Sequence, residues 1–172
     1  MRREADANQF RNISLETQRP GIPDVVEQHV GELASLWTAR AVLETSGHAS
    51  LLHLTRVDER VLAHEDGCCV AGSAAWAAAR QRMVEPSSPD LFAATLVALD
   101  LLDPDALEQC VALAEALAET VPGVASALGW VSAGRLTGIG KQLLEAPSPV
   151  RRHLGLAACR SHGVDPLSLI HI

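Results

Sequence analysis

Five prolines constrain the fold of this chain more than any other feature: Pro89, Pro104, Pro122, Pro149 and Pro166 punctuate its second half. Inside a helix a proline removes a hydrogen bond and clashes with the preceding turn, whereas in the first turn its missing N–H costs nothing. Ser88, Asp103, Ser148 and Asp165 directly precede four of these prolines and supply the oxygens that cap helix starts. The spacing therefore predicts helices over 89–101, 104–120, 122–133, 135–146 and 149–161, with another starting at 166. Taken in pairs they give hairpins starting near 89, 122 and 149, a period within the range of helical solenoid repeats.

Composition agrees. The 172 residues include 27 Ala and 24 Leu but only three Trp, two Phe and no Tyr, so the core is aliphatic and the favoured element is the helix. An all-β domain is excluded. A net charge of −7 argues against a nucleic-acid partner, which calls for a basic stripe. No apolar run approaches the ~18 residues of a membrane span, and the polar start Met1-Arg2-Arg3-Glu4-Ala5-Asp6 has no signal-peptide pattern, so a cytoplasmic location is expected. Cys68, Cys69, Cys110 and Cys159 are too irregularly spaced for a disulfide framework and read as buried thiols.

Residues 1–21 read as a flexible leader closed by Pro20 and Gly21. Val26, Val30, Leu33, Trp37 and Ala41 then recur at helical spacing, which predicts a long helix over 24–45, opened by Asp24 with Glu27 as a capping box and stopped at Ser46-Gly47. A second helix is expected from Thr55 to Met83. Gly67, Ala71, Ala75 and Ala79 form a small-residue seam along it, and a packing reason is expected for keeping Gly67 and Gly72 helical. Val30, Leu33 and Trp37 should meet this helix near Ala71, Ala75 and Trp76.

The segment Leu143-Leu144-Glu145-Ala146-Pro147-Ser148-Pro149-Val150-Arg151-Arg152-His153-Leu154-Gly155-Leu156-Ala157-Ala158-Cys159 resembles a short HEAT repeat of bacterial type. The N-terminal half, with Ile22-Pro23-Asp24-Val25-Val26-Glu27-Gln28-His29, Leu36-Trp37 and Val57-Asp58-Glu59-Arg60-Val61-Leu62-Ala63-His64, is similar to the opening of an uncharacterised proteobacterial HEAT-repeat family. Genes of that family often lie near type VI secretion components. The resemblance implies a helical-repeat protein with a protein partner, and members of the family usually carry further repeats.

Chemistry-bearing motifs are sparse. His64 and Cys68 are one helical turn apart, with His53 as a possible third, but two ligands are no metal site. Gly134–Gln142 superficially resembles a phosphate loop, yet its first glycine is out of register and Gln142 stands where a magnesium-holding Ser or Thr belongs. Ser132 lacks the first glycine of a nucleophile elbow. No catalytic residue, cofactor or metal is assigned.

Charge is more informative. No Lys or Arg occurs between Arg82 and Arg135, while Asp90, Asp100, Asp103, Asp105, Glu108, Glu115 and Glu119 all fall there. Such a stretch can steer a basic protein partner, although a solvated helical surface is the plainer reading. At the C-terminal edge Leu167, Leu169, Ile170 and Ile172 are apolar on a helix too short to stand alone, and self-association is expected there. The expectation is an all-α chain: a helix pair over 22–86, then HEAT-like hairpins over 87–172, stacked as a short α-solenoid on one continuous core. Its expected role is a non-enzymatic protein-interaction module, with a ligand-carrying or lyase-like HEAT-repeat protein and a homo-oligomeric structural piece as the alternatives.

Overall fold

The structure, a computed structural model, describes residues 22–170. The leader expected over 1–21, Ile172, and the side chains of Leu169 and Ile170 lie outside what is described. Among the described residues every regular element is helical.

Helix α1 spans Pro23–Thr45 and buries Val26, Val30, Leu33, Ala34 and Leu36. Its start departs from expectation: Ile22 is the N-cap, with no side-chain hydrogen bond, and Pro23 and Asp24 lie inside the first turn. Helix α2, Leu51–Ala71, begins four residues before Thr55 because Ser50 and His53 form the capping box. The Ser50 hydroxyl accepts from the His53 N–H, and the His53 ring accepts from the Ser50 N–H. An imidazole thus takes the place of the usual Glu or Gln.

The single helix expected to run to Met83 is broken at Gly72, where φ 58° and ψ −126° lie in a region open to glycine. Helix α3, Ser73–Arg82, continues from it and buries Ala75 and Ala79. Gly67 does stay helical for a packing reason, since a Cβ there would come within 2.7 Å of the His29 ring. Contacts of His29 with His64, Glu32 with Arg60 and Arg40 with Asp58 run α1 and α2 antiparallel. Trp37 is only partly buried, and its ring meets Phe92 at 6.2 Å rather than lying wholly on the 71–76 seam.

Helix α4, Ser88–Asp100, is the centre: Leu91 through Leu99 are all buried. Its cap is Ser87 rather than Ser88, whose hydroxyl instead donates to the Glu119 carbonyl at 2.8 Å. Helix α5, Pro104–Ala116, is capped by Asp103 and ends earlier than expected, giving way to a 3-10 turn at Ala118–Thr120. Helix α6 follows at Val121–Trp130. The helix expected over 135–146 is a 3-10 turn, Ala133–Leu136, and a short α7, Ile139–Glu145. Helix α8, Pro149–His162, is capped by Ser148 as expected and closed by left-handed Gly163, and α9 spans Pro166–Ile170.

Helix α4 packs against α1, α2, α3, α5 and α6, while α6 and α7 both pack on α8. The expected α6–α7 hairpin is therefore replaced by an α7–α8 pair, because the 3-10 turn carries the chain away from α6. One buried cluster runs from Val26 to Ala158, burying α1 and α8 in the same core.

Candidate functional site

The C-terminal end of α4 builds a groove of about 480 Å³ against α5 and α7. Its apolar wall includes Leu99, Leu107, Val111, Ile139 and Leu143, and its rim carries Asp103, Asp105, Glu108, Arg135 and Arg151. At its mouth the chain turns through a Schellman motif: the Leu102 N–H donates to the Leu99 carbonyl, and the Asp103 N–H to the Ala98 carbonyl. The left-handed residue of that motif is normally glycine, and here it is Leu102 at φ 53°, a residue 68% exposed. Neither backbone preference nor core packing accounts for a leucine at that position. Arg135 completes the turn by donating to the Asp100 carbonyl at 2.9 Å, a cation placed at a helix C-terminus.

The seven acidic residues expected to face a partner have varied surroundings. Asp90 pairs with Arg82 at 2.8 Å and Asp100 with Arg135 at 3.7 Å. Asp103 accepts from the Asp105 and Ala106 N–H groups as the cap of α5. Arg151 of α8 reaches both Glu108 and Glu115, and its guanidinium holds both carboxyls below their ordinary value. Asp105 and Glu119 are exposed. The structure thus gathers Asp103, Asp105 and Glu108 at one groove and scatters the others. Of the expected self-association edge, Leu167 is 60% exposed on α9.

A second cluster lies where α2 meets the ends of α4 and α6. Glu65 accepts from the Trp130 indole N–H at 3.0 Å and faces Asp100, with Cys69 and Asp66 alongside. Burial first, and the Asp100 charge next, push the Glu65 carboxyl up to about 7. Asp100 is also raised, chiefly by burial, and its Oδ2 is buried without a hydrogen-bond partner. Thirty-five residues separate the two acids, so no local pattern announces them; Trp130 beside the small residues of α6 is the one visible cue.

The metal candidates separate. His64 turns to His29, Nδ1 to Nδ1 at 2.9 Å, so one ring donates and the other accepts. Burial first, then His29, lowers the His64 pKa. Cys68 is buried and His53 caps α2, and no group of three potential ligands occurs among the described residues. Cys68, Cys110 and Cys159 are buried as expected, whereas Cys69, also expected to be buried, is exposed because it lies at the solvent-facing edge of α2. Burial pushes the thiols of Cys68 and Cys110 up to about 12, and partial desolvation with the Asp100 charge raises that of Cys69 to about 11, far from thiolate character. Ser132 precedes the 3-10 turn at its N-cap position without a side-chain capping bond, and Gly134–Gln142 run from that turn into the start of α7. No family model, curated protein or solved structure matches the chain.

Proposed function

We propose that this protein is a non-enzymatic helical interaction module that holds a segment of a partner protein in the groove between α5 and α7. The observation that carries the reading is Leu102, an exposed apolar side chain kept in a left-handed conformation at the groove mouth. Strain of this kind costs about 1–2 kcal/mol and tends to be retained where it serves a site. The apolar wall suits an aliphatic or aromatic side chain, and exposed Asp105 suits a neighbouring Lys or Arg. The partner class is accordingly a segment pairing one apolar with one basic residue.

The likeness of 143–159 to a bacterial HEAT repeat supports a stacked-hairpin reading of α7 and α8, and the family likeness of the N-terminal half supports a partner from a secretion apparatus. Affinity capture from the native cell tests the module, comparing the intact protein with Leu102→Gly and Asp105→Arg variants. Both substitutions should leave the fold intact and lose the same captured protein, Asp105→Arg most at low salt. Equal capture by all three forms would remove the groove from consideration.

A further inference from the structure

Behind the groove, with Arg135 common to both, Glu65 of α2, Asp100 of α4 and Trp130 of α6 meet at one junction. The Asp100 side chain is 6% exposed, one of its oxygens has no hydrogen-bond partner, and the Glu65 carboxyl stands within hydrogen-bonding reach of it. Two ionised carboxylates so placed would repel in a poorly solvated site, while one proton between them turns the repulsion into an O–H···O⁻ hydrogen bond. We propose that Glu65 and Asp100 share a single proton, and that its loss unlatches the C-terminal turns of α2 from the ends of α4 and α6.

The surrounding charges define the latch. Asp66 and Cys69 face it from α2 itself, Asp100 from α4, the Trp130 N–H from α6 and Arg135 from the 3-10 turn, while Arg40 of α1 lies 6.0 Å from the Trp130 ring centre. Arg135 pairs with Asp100 and the indole serves one Glu65 oxygen, so Asp100 is the member that stays ionised and Glu65 the one that carries the proton. Burial raises Glu65 to about 7, which puts the release at neutral pH.

The direction follows from linkage. The latched state binds a proton that a solvated Glu65 would lose near its ordinary value of 4.5, so latching is fully favoured below about pH 4.5. Between there and about pH 7 the opening constant rises roughly tenfold per pH unit, and above pH 7 it levels off. Two readouts test this in the full chain. The Trp130 indole N–H resonance should titrate near pH 7 in the wild type and stay flat in Glu65→Gln. Hydrogen-exchange protection at Cys68–Ala71, corrected for intrinsic rates, should fall about tenfold per unit from pH 5 to 7 and lose that slope in the variant. A wild-type indole resonance unchanged from pH 5 to 8 would overturn the proposal even if Glu65→Gln does not fold.

Discussion

At the scale of single residues, conformational strain and burial point in different directions at Leu102 and Phe92. Leu102→Gly relieves a left-handed leucine but adds freedom to the unfolded chain, so unfolding in urea should show a net gain of about 0.5–1 kcal/mol. A loss of stability would mean that the leucine is a packing residue after all. Phe92, 2% exposed between Trp37 and Trp130, should cost about 3–5 kcal/mol as Phe92→Ala. Trp37→Ala should cost less, because part of that ring stays in solvent. The burial of Val30 and Leu33 was legible from their helical spacing. The left-handed Leu102 was not: the end of α4 near 101 was readable from Pro104, but a left-handed helix end normally shows itself by a glycine, and none stands between Leu101 and Pro104. Nor could linear charge reveal that Arg151 answers Glu108 and Glu115 from another helix, since the ion pairs form only when α5 and α8 meet.

At the scale of elements, helix starts were readable where Asp103 and Ser148 stand before a proline, while at Pro89 the cap fell one residue earlier, on Ser87. Reading failed where the cap used an unusual partner, as with His53, and where one glycine had two roles available. Gly67 stays helical, as glycine because a Cβ would strike the His29 ring, whereas Gly72 breaks the helix, and nothing in their local sequence separates the two. The short 3-10 turns escaped for the same reason, since Ala118–Thr120 looks like any other helical stretch. Close approach of α4 and α6 gives a direct check. A Cβ on Gly123 would lie 1.9 Å from the Ser88 carbonyl oxygen, which is backbone and cannot swing aside. Gly123→Ala should therefore lower stability by at least about 1–3 kcal/mol, while Gly47→Ala, with nothing within 4 Å, should change the urea midpoint little. Matching midpoints for the two variants would mean that α4 and α6 do not pack this closely.

For the molecule as a whole, the all-helical class was legible because Ala and Leu dominate and the prolines mark helix starts, whereas the arrangement of the helices was not. Sequential pairing would stack hairpins so that each touches only its neighbours, and stability would then spread as local contributions. Helix α4 instead touches three helices before it and two after it, which ties the two ends of the chain through one element. Leu154 of α8 is fully buried and α8 packs on α6, which in turn packs on α4, so a defect there should be felt in α1. Leu154→Ala should cost about 2–5 kcal/mol by the cavity it leaves. If the chain unfolds as one unit, amide exchange at Val30 and Leu33 will lose protection by the same free energy as exchange within α8. Loss of protection confined to α7 and α8 would show instead that the C-terminal pair unfolds alone, as a stacked repeat does, and that α4 does not join the two halves.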